Sequence, residues 1–237
     1  MFVVRRIIYW LAIPIGLFIL ASVVAESFAE SQLASGMRST LDLKEKPEVQ
    51  IEAFPILYRV FQGRIPRVRV EADTFTVDGL EIAELALDME GVKTSVGTLI
   101  RQNRFDLTVE EGSASARITQ VAVNAFLQRE KVDAVVMLRE DGLVTVVNDE
   151  VIAGTRHRFA ATGPLSLGGR RLTFKPTRFT MDGAPVPAAL RTRARRETTF
   201  SVEIPKLPVN ILPTEVAVRE GELSLVAVLS DTTIQVR

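Results

Sequence analysis

The sequence predicts an α+β chain: an N-terminal transmembrane helix, then a long, strongly curved antiparallel β-sheet built as a meander of hairpins, with an internal helix to cover it. Three observations predict this. An uncharged run, Ile7 to Ala25, opens the chain. From Glu48 onward, apolar and polar residues alternate in segment after segment, which is the period of a strand with one buried face. Two short stretches, near Pro55–Gly63 and Thr119–Arg129, change to helical spacing.

The opening run follows Arg5-Arg6 and includes Trp10 and Pro14. At 1.5 Å per residue it measures about 28 Å, close to the thickness of a bilayer core. Arginines before it and Glu26 and Glu30 after it predict a single pass of the inner (plasma) membrane, with the N-terminus cytoplasmic and the remainder outside. The small residues Val23-Val24-Ala25 offer the alternative of a cleaved signal peptide and an exported chain. The expected organisation is an anchor or signal peptide over 1–26, an amphipathic linker helix over 27–47 and one domain over 48–237. In the linker, Phe28, Leu33, Met37, Leu41 and Leu43 recur mostly at helical spacings. Its polar face is not rich in lysine or arginine, which favours packing on its own domain over lying on lipid.

Val49 and Ile51 alternate with Glu48, Gln50 and Glu52 as a first strand. In Phe54-Pro55-Ile56-Leu57-Tyr58-Arg59-Val60-Phe61-Gln62-Gly63 the period changes: Ile56, Leu57, Val60 and Phe61 take helical spacing, with Pro55 suited to a first helical position and Gly63 to the C-terminal cap. Alternation resumes through Val68, Val70 and Ala72 to an Asp78-Gly79 turn, a strong hairpin signal. On the return, the apolar phase slips between Leu80/Ile82 and Leu85/Leu87/Met89. Either an inserted residue bends the strand there or the strand ends and restarts, and both readings give a curved sheet.

This order resembles the LmeA-type phospholipid-binding family of bacterial envelope proteins. The residues that carry the resemblance are the strand Val49 to Ala53, Phe54-Pro55-Ile56-Leu57, Gly63, the hairpin Val68 to Leu87, and Gly91-Val92. Leu207-Pro208 and Leu212-Pro213 before a final hairpin extend it, so that it covers roughly Glu30 to the C-terminus. The resemblance implies a relative of the tubular lipid-binding fold, in which a curved antiparallel sheet wraps a helix and an apolar groove takes acyl chains. It implies no catalytic site.

Beyond the hairpin, Lys93 to Arg104 predicts a helical turn, and Phe105, Leu107 and Val109 a strand. Thr119 can cap a helix whose Val123, Phe126 and Leu127 make one apolar face. It is either an ordinary core helix or, on the resemblance, the wrapped helix that lines the lipid groove. Hairpins follow at 131–151 and 156–181, with Pro164 and Pro176 marking edges or breaks. Val186 to Arg196 predicts a short helix bearing Arg191, Arg193, Arg195 and Arg196, suited either to anionic headgroups or to a solvated helix end. Phe200 to Ile204 is a strand, and Val216 to Leu229 a closing hairpin turned at Glu220-Gly221.

Lysine plus arginine and aspartate plus glutamate each number 29, so no charge excess points to nucleic acid. The chain has no cysteine and one histidine, His157. Disulfides and thiolate metal sites are thereby excluded, and no cofactor is expected. Glu110-Glu111 and Glu140-Asp141 lie beside glycines and read as solvated turns rather than an acid/base pair. These absences point to a non-catalytic protein, and the resemblance implies its role: a membrane-associated, phospholipid-binding protein of the cell envelope, serving lipid transfer or envelope glycolipid assembly, with envelope biosynthesis proteins as further partners. Phe54, Ile56, Leu57, Val60 and Phe61 form the expected apolar lip, Val123, Phe126 and Leu127 the lining, and the arginine cluster the headgroup contact. A structural envelope protein with a filled core and an envelope glycolipid enzyme are the alternatives.

Overall fold

A computed structural model describes residues 2–41, 43, 45–94, 105–152, 154–187, 198–204 and 212–236. Among them, α1 (Phe2–Leu41) leads to β1 (Glu48–Glu52), α2 (Ile56–Phe61), β2 (Arg64–Val77), β3 (Leu80–Thr94) and β4 (Phe105–Thr119). After α3 (Gln120–Arg129) come β5 (Val135–Leu138), β6 (Leu143–Ile152), β7 (Thr155–Gly168), β8 (Arg171–Phe174), β9 (Arg178–Met181), β10 (Ala184–Pro185), β11 (Phe200–Glu203), β12 (Pro213–Arg219) and β13 (Glu222–Val236). One sheet has the order β1-β2-β3-β4-β13-β12; the other runs β10-β9-β7-β6-β5, with β8 paired to β7 and β11 to β8.

This architecture overturns the expected fold class. The protein is mostly β, with 59 % of residues in strands, and its sheets are open, neither strongly curled nor closed. A helix enclosed by a wrapped sheet buries residues all round, yet α3 fully buries only Ala122 and leaves Val121 77 % exposed. The phase slip in β3 also has another cause than a bend. Asp78 and Gly79 both take positive φ, as a two-residue hairpin turn of the I′ kind requires, and such a turn sets Val77 opposite Leu80. In that register the buried residues face each other as Phe75 and Ile82, Ala72 and Leu85, Val70 and Leu87, Val68 and Met89, and Ile65 and Val92. Both strands slip at the same two places, so the ladder stays in step and the ribbon exchanges the face it buries.

The transmembrane expectation is also overturned: among the described residues no helix is long and apolar enough to cross a membrane. The C-terminal half of α1 is committed to protein. Leu33, Ala34 and Met37 are buried, and the helix touches β1 and α2. The carboxylate of Glu30 accepts a 2.9 Å hydrogen bond from the Ile51 backbone N–H, which satisfies a donor on an edge strand. The single-pass, inner-membrane placement falls with it.

The chain divides into two compact units. One comprises Met1–Glu71, Leu87–Gly112 and Leu229–Arg237; its core is Val68, Val70, Leu87, Met89, Val92, Val109 and Leu229, with Ile56 of α2. The other comprises Ala72–Ala86 and Ser113–Val228. In this second unit β7 pairs with β6 along Thr155–Pro164, while its other edge pairs with β9 up to Thr162 and with β8 from Leu165. Pro164, which has no N–H to donate, sits where that partner changes. A Cβ on the preceding Gly163 would meet the backbone of Lys175 and Pro176. Lys175 to Thr177 thus separates β8 from β9, a break at the Pro176 that the sequence marked as an edge or break. Arg117 ties β3, β4 and β13 through Glu84 at 2.5 Å and Glu222 at 3.0 Å.

Helix α3 is placed by an exchange of side chain for ladder. Thr119 Oγ1 accepts from the Ala122 N–H at 3.1 Å and caps the helix. One turn apart, Gln120 and Asn124 reach the edge of β5: Gln120 Oε1 accepts from Leu138 N–H (2.7 Å), Asn124 Oδ1 from Val136 N–H (2.7 Å), and Asn124 Nδ2 donates to Val136 O (2.8 Å). The amide side chains stand where another strand's backbone would. Asn124→Ala is expected to destabilise the chain by about 1–3 kcal/mol, because the Val136 groups lose their partners. Asn124→Asp keeps the acceptor and should cost less, as denaturant midpoints of the two variants would show; equal midpoints would contradict the edge role.

Candidate functional site

The stretch Phe54–Gly63 is the first candidate, because it combines a buried anchor with outward aromatics. Pro55 starts the turn, α2 follows, and Gly63 at φ +69° ends it. Ile56 is 2 % exposed and belongs to the core of its unit. Phe54 and Tyr58 point out, at 57 % and 54 % exposed. The side chains of Leu57, Val60 and Phe61 lie outside the described residues. Tyr58, which the apolar pattern passed over, joins Phe54 as an exposed aromatic of this element; its amphipathic ring on the polar face of a short helix was the available signal.

The Glu30–Ile51 bond holds β1 against α1, which also touches α2. On α1, Val23, Val24 and Phe28 are exposed, Phe28 at 64 %.

In the same unit, a groove of about 620 Å³ is lined by Arg59, Arg64, Pro66, Glu90, Gly91, Glu110 and Glu111. Glu110 is held by Arg64 at 2.5 Å and Lys93 at 3.0 Å. Glu90 pairs with Arg67 at 2.6 Å, which also reaches Asp88 at 3.0 Å. The hydrogen bond from Lys93, with the nearby charge of Arg64, keeps the Glu110 carboxyl below the ordinary glutamate range against the opposing effect of desolvation. A depressed carboxyl contributes stability that is present above its unfolded value and is lost as pH falls through the folded one. Acidification should thus release Arg64 and Lys93 only below the usual glutamate range; a carbon-detected NMR titration of Glu110 with a midpoint at or above that range would contradict this.

In the second unit, Val123, Phe126 and Leu127 of α3 are half-buried. The Phe126 ring lies by Gly79, where an added Cβ would stand 4.0 Å from it and 2.5 Å from the Arg129 guanidinium. These three residues are seated on a helix beside an edge strand, not within a wrapped sheet. A second groove, about 730 Å³, is lined by Gln120, Met137 to Asp141, Glu220 and Gly221. Asp141 pairs with Arg139 at 3.2 Å, in a turn as its sequence suggests. Glu110-Glu111 differs from expectation, lying inside β4 and not at a turn. His157 Nδ1 is 2.7 Å from Asp182 Oδ2, whose other oxygen accepts from Arg158 N–H at 2.9 Å. That pair fastens the β9–β10 turn to β7. Arg191, Arg193, Arg195 and Arg196 lie outside the described residues, as does most of the helical turn expected over 93–104.

Searches of curated proteins and of solved structures give no match to the chain. A family model described as LmeA-like phospholipid-binding matches residues 20–228, starting within α1 and ending in the last strand. It therefore spans the Phe54–Gly63 element, both sheets and α3, well over half of the sequence. On that match, which takes in every motif of strand, short helix and hairpin set out above, the chain belongs to the LmeA-like phospholipid-binding family.

Proposed function

We propose that this protein binds phospholipid without altering it chemically, and that the Phe54–Phe61 element makes the contact with acyl chains. The family match over residues 20–228 carries the reading. Exposed Phe54 and Tyr58 support the placement, since an aromatic body meets acyl chain while the tyrosine hydroxyl stays wet. Each methylene transferred from water to such a surface contributes about 0.8 kcal/mol. Leu57, Val60 and Phe61 share the helix and Ile56 anchors it from beneath. Val123, Phe126 and Leu127 form a second apolar contact of the same proposal. The lipid is drawn from a membrane surface that the lip touches, which makes movement of lipid between membranes the natural use of the site.

Incubation of the full chain with vesicles carrying a pyrene-labelled phosphatidylcholine tests this. Saturable uptake approaching one probe per chain is expected, and absence of uptake at all vesicle concentrations would overturn the reading.

A further inference from the structure

The groove beside α2 is lined by two charged residues that form no ion pair among the described residues. Arg59 sits on α2 immediately after Tyr58, and its Nε is buried with no hydrogen-bond partner. Arg59 also lines the groove and, among the described residues, forms no ion pair, so its guanidinium is a cation there without a carboxylate partner. Glu111 is exposed and, among the described residues, forms no ion pair. The other charged members of the lining are already engaged: Arg64 with Glu110, and Glu90 with Arg67. Among the described residues, the groove thus offers a cation and a carboxylate without ion-pair partners, between ion pairs that hold its walls.

Its floor is kept low by backbone chemistry. In the hairpin register set at Asp78-Gly79, Pro66 faces Gly91. Pro66 has no N–H, and Gly91 has no side chain and takes φ +61°, a conformation that favours glycine. A Cβ at Gly91 would collide with the Glu110 side chain that covers it. The glycine of the sequence motif Gly91-Val92 is therefore what leaves room for Glu110, and with it the groove.

We propose that this groove is a headgroup site for a zwitterionic phospholipid, with Arg59 receiving the phosphodiester and Glu111 the ammonium. The proposal rests on the phospholipid-binding reading above and adds where the polar end goes. A guanidinium matches phosphate oxygens with paired donors, and a charge-assisted bond is stronger than a neutral one. An ethanolamine headgroup carries its ammonium a few bonds from the phosphate, which suits it to a groove lined by both residues. A headgroup with only negative charge would satisfy Arg59 but set a further anion beside Glu111 and the paired glutamates. Tyr58 and Arg59 belong to the same short helix, so the headgroup site and the lip share one element.

The test compares uptake by the full chain from vesicles of phosphatidylethanolamine and of phosphatidylglycerol with identical acyl chains, counting bound lipid by native mass spectrometry. The wild type is expected to favour the ethanolamine lipid about tenfold. Glu111→Gln, at an exposed position, should lower uptake of the ethanolamine lipid to about that of phosphatidylglycerol, whose own uptake does not fall. Arg59→Gln should lower uptake of both. Equal uptake by the wild type, preference for phosphatidylglycerol, or selectivity unchanged in Glu111→Gln each overturns the headgroup site while leaving lipid binding intact. No uptake of either lipid by the wild type overturns both readings. Gly91→Ala should act like Arg59→Gln through displaced Glu110, and full uptake in that variant contradicts the account of the floor.

Discussion

Replacing Phe54 and Tyr58 together by aspartate is expected to lower phospholipid uptake about tenfold or more, with the thermal midpoint moved by no more than about 2 °C. The two rings are more than half exposed, so their loss costs the folded chain little. Their contribution is made only when lipid covers them, and two carboxylates at that position would have to be desolvated by acyl chain. The neighbouring Ile56 shows why the pair is the better probe. At 2 % exposed it belongs to the core, and Ile56→Asp would remove binding by unfolding the site. Vesicle uptake and differential scanning calorimetry on the same preparation separate the two effects. Unchanged uptake in the double variant would remove the lip from the account.

The second large effect is on stability. Phe174 is wholly buried at the end of β8, opposite Leu165 of β7 on one side and Phe200 of β11 on the other. Phe174→Ala deletes a ring from a close-packed position, where neither flanking strand is free to collapse into the space. A loss of about 3–5 kcal/mol is expected in denaturant unfolding. A loss below about 1 kcal/mol would mean that the β7–β8–β11 arrangement contributes little to the fold. Lipid binding at Phe54 should survive at temperatures where the variant remains folded.

These two residues also show what the sequence disclosed. The alternation of Val68, Val70 and Ala72 and of Leu85, Leu87 and Met89 located β2 and β3, because burial of one face imposes a period of two. The Asp78-Gly79 turn was legible because the I′ conformation demands residues that tolerate positive φ. Thr119 was legible as a cap for the same kind of local reason. Curvature and partner choice were not. Alternation says which face of a strand is covered but not by what, so the placement of β13 beside β4, and of α3 along the β5 edge, left no periodic trace. The phase slip near Ala83 misled because a bend and a change of buried face look identical on one strand; only the matching slip at Ala72 and Phe75 separates them. The apolar run at the N-terminus read as an anchor, but hydrophobic spacing beyond it at Leu33 and Met37 recorded packing on β1 and α2. The candidate site was half legible. Phe54 and Ile56 stood out as apolar, yet their opposite fates, one exposed and one buried, depend on how α2 rests on the sheet. Arg59 gave no signal at all, since an arginine on a short helix is ordinary until its Nε is found buried without an acceptor.

The central claim is that the chain carries phospholipid. Native mass spectrometry of the full chain, purified without detergent from a bacterial host and followed by lipid extraction, tests it most directly. The account predicts a species heavier than the chain by one phospholipid, with phosphate recovered at about one per chain. A chain that emerges lipid-free and takes up none on incubation with vesicles would contradict it.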